Sequence, residues 1–276
     1  MTLPNFLIIG AAKAGTTSLH HYLRQHPDVY MSPVKEARYY ASEWWSEEPD
    51  PIRTREAYER LFDGVTTERA VGEASPQYLN SPTAPDRIAA DLPDVKLIVS
   101  LRNPADRAYS SYLGRLCGGQ ERRGVDAAMR PGTYYFLTSQ YHPRLSRYFA
   151  RFPRSRIKVI VFDDLAADAR AVVRDLSEFL AIDAAFAADV ATAHNGARTP
   201  RSIVANEILC RMVEVAHHVL PVTMRGTGLA AGVQRLLLRP PDPLPPSIRQ
   251  RLLEQLRDDI ARTGALIGRD LSHWLD

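Results

Sequence analysis

Apolar positions along this chain fall into two spacings that alternate. Phe6–Ile9 is a short unbroken apolar run ending in glycine, the pattern of a strand buried on both faces of a parallel sheet. Thr17–Gln25 follows with Leu19 and Leu23 four apart, which predicts a helix that His26-Pro27-Asp28 stops. A second amphipathic stretch covers Thr54–Leu61 with Thr54 as its cap, and Ser81-Pro82 opens a helix over Ala84–Leu92. Val95–Leu101 is the clearest buried strand, and Pro104–Leu116 reads as a helix with proline in its first turn. Tyr141–Phe152 is predicted helical, Ile157–Phe162 a strand, and Asp168–Leu180 a helix with Val172, Leu176, Phe179 and Leu180 as its apolar stripe. From Asp183 the pattern is less regular, and Gly226, Gly228 and Gly232 punctuate an Arg-rich stretch. The proline cluster at 240–246 reads as a stiff connector, after which Ser247 is expected to cap a last helix over Ile248–Arg262. Alternating strands and helices predict one three-layer α/β domain over 1–276, a parallel central sheet with helices on both faces.

Composition narrows the class. The 276 residues carry 35 Lys+Arg against 32 Asp+Glu, a net charge of +3, too small for a strongly cationic nucleic-acid binder. Two cysteines make neither a disulfide framework nor a Cys-rich zinc site and read as reduced thiols. No apolar run approaches the ~20 residues of a membrane helix, and the first residues lack a signal-peptide pattern. The expectation is a soluble cytoplasmic protein without nucleic-acid partners; a homodimer is compatible with the pattern.

The loop between the first strand and helix, Gly10-Ala11-Ala12-Lys13-Ala14-Gly15-Thr16-Thr17-Ser18, has the chemistry of an anion site. Small residues let backbone approach a ligand. The helix start aims free N–H groups and a partial positive charge into the loop. Lys13 adds a full charge, and Thr16, Thr17 and Ser18 add hydroxyl donors. A nucleotide-triphosphatase loop would place Lys-Ser/Thr after the second glycine. Here the lysine is displaced into the loop, and the second buried strand runs into Arg102 rather than a Mg²⁺-holding acid, so the pattern says phosphate without metal.

A second anion site is predicted at Arg102-Asn103-Pro104-Ala105-Asp106-Arg107-Ala108-Tyr109-Ser110. Arg102 stands at a strand's C-terminal end, where open α/β sheets bind ligands. Ser110 lies two turns into the next helix, with Arg107 three residues before it on the same side. The alternative for Arg107 is a surface pair with Asp106.

The order G-x-x-K-x-G-T-T-x-L, x-H-P-x-V, K-E, then R-x-P-x-x-R-x-x-S resembles the sulfotransferase family that uses 3′-phosphoadenosine 5′-phosphosulfate (PAPS). The similarity is greatest to the branch of heparan sulfate N- and 3-O-sulfotransferases and their bacterial relatives. It implies a P-loop nucleotide-hydrolase-like fold, PAPS as donor, adenosine 3′,5′-bisphosphate (PAP) as product, and no metal. By that resemblance Lys13, Ala14, Gly15, Thr16, Thr17 and Ser18 hold the 5′-phosphosulfate. Arg102 and Ser110 hold the 3′-phosphate, and Arg198 or Arg201 reach it from a late basic loop. Lys35-Glu36-Ala37-Arg38-Tyr39-Tyr40 resembles the family's catalytic segment, and Gly72-Glu73-Ala74-Ser75-Pro76-Gln77-Tyr78 a second conserved-type acidic segment. Glu36 or Glu73 is therefore the candidate general base and Lys13 the leaving-group stabiliser. Arg38 stands where relatives usually have His, and Ala74 where many have Lys, so a glycosaminoglycan acceptor does not carry over. The acceptor class is a small molecule, glycan or glycolipid, and Ala-, Arg- and Pro-rich usage points to a bacterial enzyme of secondary metabolism. A nucleotide kinase on the same fold and a non-catalytic nucleotide-binding protein are the competing readings. Tyr141 is a candidate adenine stacker, though a helix-face aromatic is more often core; Trp44 and Trp45 are either acceptor-pocket walls or a partly buried loop pair; His20-His21 and His217-His218 read as structural pairs.

Overall fold

The apolar run at the N-terminus becomes β1 (Phe6–Gly10), and every residue of it is buried. The computed structural model describes residues 2–44, 52–191, 198–202, 205, 206, 208, 210, 212 and 238–276. Around β1 lie β2 (Val29–Met31), β3 (Ala70–Ala74), β4 (Lys96–Leu101) and β5 (Ile157–Val161), in the order β2-β3-β1-β4-β5. All four pairings are parallel, with Leu7 opposite both Glu73 and Leu97. Parallel neighbours need crossovers, and the helices supply them.

Those helices divide between the two faces. On one, α1 (Thr16–Leu23) and α9 (Ala169–Leu180) bury Leu19, Leu23, Val172 and Leu176 against Phe6, Ile8, Ile98 and Ile160. On the other, α3 (Ala84–Asp91), α4 (Pro104–Cys117), α7 (His142–Phe149) and α10 (Pro246–Ile267) cover Leu7, Ile9, Leu97 and Val99. The expected layered parallel architecture is therefore present. Shorter helices α2 (Arg55–Glu59), α5 (Val125–Ala128), α6 (Tyr134–Leu137) and α8 (Phe162–Ala167), several 3₁₀ turns and a two-residue ribbon of β6 (Thr199–Pro200) and β7 (Leu238–Arg239) join these elements.

This arrangement places the site. β1 and β4 are neighbours, yet α1 after β1 and α4 after β4 lie on opposite faces. Their connecting loops diverge and open a crevice at the C-terminal strand ends, the position where such sheets bind ligands. Asn103 fixes the start of α4, its side chain accepting from the Ala105 and Asp106 amides and donating to the Trp274 carbonyl at 2.9 Å. The C-terminus is itself tied to α8 by Arg269 on Asp164 and by Trp274 Nε1 on Asp163 at 2.9 Å.

Several expected boundaries move. α10 starts at Pro246 and runs to Ile267, past the expected Arg262, and Ser247 lies inside it rather than capping it. Phe162 opens α8 instead of closing β5, and Asp168 caps α9 by accepting from the Ala171 amide. Thr54 caps α2 as expected, accepting from Ala57.

Close packing across the sheet is visible at Gly72. A Cβ there would sit 2.2 Å from the ring of Phe6, which is fully buried. Gly72→Ala is expected to destabilise the fold by about 1–3 kcal/mol, the usual range for overpacking. Urea unfolding reads this, and an unchanged midpoint would mean the Phe6 ring has room to move.

Candidate active site

The crevice holds a cleft of about 1600 Å³ whose walls include Lys13, Gly15–Ser18, Lys35, Glu36, Gln77, Arg102 and Ser110. Both predicted anion motifs thus meet in one space. Gly15 stands at the head of α1 with φ 85°, and a Cβ there would press into Leu165 and Phe162 at 2.8 and 3.0 Å. Glycine answers both demands. No side chain caps α1, so the N–H groups of its first turn remain for a ligand.

The loop is held from β4. Ser100 Oγ donates to the Ala14 carbonyl at 2.6 Å, and the Ala11 amide donates to the Ser100 carbonyl at 2.7 Å. Ala14 is buried and anchors the loop instead of lining the cleft. Arg102 lies 4.8 Å over the Phe162 ring and donates to the Lys13 carbonyl at 3.4 Å, which links the two motifs. Burial and the Arg102 charge hold the Lys13 ammonium below its ordinary pKa. Two cations held this close, with Glu36 the carboxylate acting on Lys13 across the cleft, favour an anionic ligand.

Glu36 faces the same cleft. It accepts from Lys35 Nζ at 2.8 Å, Gln77 Nε2 at 2.5 Å and Arg38 Nη2 at 3.4 Å. Burial alone pushes this carboxyl up, but the Lys35 bond, with Gln77 and Arg38, outweighs it and holds the group below the usual glutamate value. Lys13, Glu36 and Arg38 all have positive φ, at 71°, 63° and 57°. Such backbone costs energy at a non-glycine residue and clusters at functional sites.

Glu73 is placed differently. It is fully buried on the α3 side of the sheet and does not line the cleft. Tyr78 donates to it at 2.5 Å, Ser75 at 2.7 Å and Tyr58 at 3.3 Å. Burial nonetheless pushes its pKa up to about 7 against those three bonds.

Other expectations change. Arg107 is 1% exposed and donates to Ser139, Thr138 and the Tyr135 carbonyl; it neither reaches the cleft nor pairs with Asp106, which binds Arg249. Facing inward from α4, it ties that helix to α6. Tyr141 is fully buried, and its hydroxyl donates to the Arg102 carbonyl at 2.8 Å, so it supports Arg102 from beneath and is not open to an adenine ring. Arg198 and Arg201 are exposed near the ribbon beside α4, where the Cys117 thiol donates to the Arg198 carbonyl; neither lines the cleft. Burial, then neighbouring His21, lowers His20 to about 4, which keeps it neutral. Trp45, the side chain of Trp44, His194–Ala197, His217-His218 and Gly226, Gly228 and Gly232 lie outside the described residues. Sequence reasoning missed Gln77 as a partner of Glu36, and missed Pro241–Leu244 as a cleft wall held by Tyr109 on the Asp242 carbonyl at 2.7 Å. Proline stiffness was legible there, but not which surface the segment would meet.

Fold and site together define an α/β protein with one cleft at the sheet crevice, walled by Lys13 from one loop and Arg102 from the other. The sulfotransferase domain model matches residues 3–195, and the chain belongs to the sulfotransferase family as an enzyme of that class. A sulfotransferase structure from Alicyclobacillus acidocaldarius is 32% identical, with a TM-score of 0.77 and full coverage of both chains. The membrane-associated sulfotransferase kil1 of Dictyostelium discoideum is 36% identical over 115 residues, 41% of this chain and 23% of that protein. The human bifunctional heparan sulfate N-deacetylase/N-sulfotransferase 2 is 27% identical over 210 residues, 65% of this chain. The match spans only 22% of that larger protein. Among the described residues, no helix is long and apolar enough to cross a membrane.

The buried Glu73 makes stability depend on pH. Its folded pKa, about 7, is raised above the ordinary 4.5, so the folded chain binds more protons than the unfolded chain across that window. Stability from this group is present below the window and lost as pH rises through it. Between pH 4 and 8.5 the protein is expected to lose roughly 3 kcal/mol relative to Glu73→Gln. Parallel pH profiles of the two denaturation curves would refute a raised pKa.

Proposed function

We propose that this chain transfers a sulfuryl group from PAPS to a hydroxyl or amine of a small-molecule, glycan or glycolipid acceptor. The observation that carries the reading is the convergence of Lys13, Arg102, Ser110 and Glu36 on one cleft. The residues fit the donor's charge: the Lys13–Ser18 loop would hold the 5′-phosphosulfate, and Arg102 with Ser110 the 3′-phosphate. PAPS, when bound, supplies the sulfuryl group. Lys13 stabilises the charge that grows on the leaving phosphate as the S–O bond to it breaks. Glu36 accepts the acceptor's proton as the new bond to sulfur forms. Its low pKa keeps it ionised at neutral pH, and Gln77 and Lys35 fix its direction. Because Glu73 is shut off from the cleft, Glu36 is the base in this reading. Arg198 and Arg201 are second-rank contacts that would need their segment to approach a bound donor. The reading extends to one catalytic domain over 1–276, with 240–246 a wall segment, acting in the cytoplasm of a bacterium, where its free cysteines stay reduced.

Arg102→Ala is expected to weaken PAP binding about 10–100-fold, the worth of one charge-assisted phosphate contact. Lys13→Ala should lower kcat about 10²–10³-fold. Glu36→Gln should lower kcat about 10²–10⁴-fold with PAP affinity unchanged. Calorimetry with PAP and mass spectrometry of a metabolite pool incubated with PAPS, seeking the ~80 Da gain of SO₃, read these outcomes. Full activity in Lys13→Ala would sink the mechanism, and Mg²⁺-dependent ATP turnover would favour a kinase.

A further inference from the structure

The loop that carries Glu36 is short, strained and attached to the sheet by few bonds. Glu36 and Arg38 both hold positive φ, and neither is glycine. The Glu36 amide donates to the Ala74 carbonyl at 2.9 Å. Arg87 of α3 holds the Tyr39 carbonyl at 3.0 Å, and a second set of ties leads to one atom group, the Glu73 carboxylate. Ser75 Oγ donates to Glu73 at 2.7 Å and accepts from the Arg38 amide at 3.0 Å. Tyr78 donates to Glu73 at 2.5 Å, and its hydroxyl accepts from the Tyr40 amide at 3.5 Å. Tyr58, the third donor, stacks on Tyr39 at 4.4 Å and meets Tyr40 edge-on at 5.5 Å. Three arms therefore leave one buried carboxylate, and all three end on residues 38–40.

We infer that Glu73 is a positioning residue for sulfuryl transfer: as a buried carboxylate accepting from Ser75, Tyr78 and Tyr58, it holds the strained Glu36–Tyr40 loop and so aims Glu36 into the cleft. The inference rests on the assignment of Glu36 as base.

The chemistry requires the ionised form. Three O–H groups converge on Glu73, and only a carboxylate offers acceptor sites to all of them without a competing proton. Ser75 and Tyr78 are oriented as donors toward Glu73, which leaves their oxygen lone pairs for the Arg38 and Tyr40 amides. A protonated or amide side chain at 73 would turn at least one hydroxyl away and release an arm. Among the described residues, no cation is hydrogen-bonded or ion-paired to this carboxylate. Facing Glu73 are Tyr58 from α2, Ser75 and Tyr78 from the segment after β3, Tyr40 from the 3₁₀ turn Tyr39–Trp44, and, through space, the carboxylate of Glu36. Burial first, and Glu36 in addition, push Glu73 up to about 7, while the three hydroxyls pull the other way. As pH falls through that value the hub protonates and the loop loosens. Glu36 itself titrates below its ordinary value, so it does not account for an acid limb near neutrality.

The test uses the full chain with PAPS, reading kcat as PAP release from pH 5.5 to 9, PAP affinity by calorimetry, and amide hydrogen exchange. Wild type should show an acid limb in kcat near pH 7. Glu73→Gln should lower kcat about 10–100-fold, the cost of a misaimed catalytic group, abolish that limb and leave PAP affinity unchanged. Tyr78→Phe removes one donor to the carboxylate and should move the limb to higher pH. Ser75→Ala should speed exchange at the Arg38 amide with the β4 amides unaffected. Should Glu73→Gln fail to fold, Tyr78→Phe and Ser75→Ala carry the test. An inactive Glu36→Gln beside a Glu73→Gln with normal kcat, normal limb and normal exchange at Arg38 overturns the hub alone. A fully active Glu36→Gln overturns the base assignment instead, whatever Glu73 does.

Discussion

The pairing of β1 with β4 is the constraint from which the rest follows. The two strands are parallel neighbours, and their following helices pack on opposite faces, so the chain cannot close the gap between the two connecting loops. That gap receives Lys13 from one loop and Arg102 from the other. Ser100 completes the arrangement, since its backbone and hydroxyl both hold the first loop from the end of β4. A net charge of +3 spread over 276 residues says little by itself. Two cations tied together at a sheet crevice, next to the open start of α1, say much more about what binds there.

Support for these charges comes from groups that carry none of the chemistry. Tyr141 and Asn103 fix the backbone on either side of the β4–α4 junction, and Arg107 holds α4 to α6 through neutral oxygens. Arg107 is a buried guanidinium with no acidic partner among the described residues; hydroxyl and carbonyl oxygens accept from its Nε and Nη2 instead. It also leaves Arg102 as the cation of its motif that faces the ligand. The serine and the first arginine of R-x-P-x-x-R-x-x-S face the cleft, while the second arginine faces the core.

Much of this was legible in the sequence. The strand–helix alternation gave the layered parallel sheet, because continuous apolar runs and 3.6-residue stripes are strong signals. The phosphate loop was legible because its residue types are unusual together: small residues, a lysine and three hydroxyls at a strand-to-helix turn. Facing was not legible. Spacing puts Arg107 and Ser110 on one side of α4, but 3.6-residue geometry leaves enough angle between them for one to enter the core and the other the cleft. Tyr141 read more readily as core than as a stacker, and it is core, but that its hydroxyl would hold the Arg102 carbonyl was not legible. For Glu36 and Glu73, both acids sit in family-like segments, and what separates them is depth, set by sheet register and by the aromatic residues of three other segments.

Register also explains why an acid sits in the core at all. Glu73 is opposite Leu7 and two residues from Val71, so it points to the same apolar face as they do. A leucine there would match the local pattern and avoid the cost of burying a charge. It would also take from three hydroxyls their shared acceptor and from residues 38–40 the ties that run through it. A sequence that breaks its own hydrophobic pattern in a central strand, and surrounds the break with hydroxyl donors, gives up stability at neutral pH in exchange for one fixed loop geometry. Because that loop carries the carboxylate facing the cleft, the buried acid and the half-buried one act as a single unit: one is held in place so that the other can be aimed.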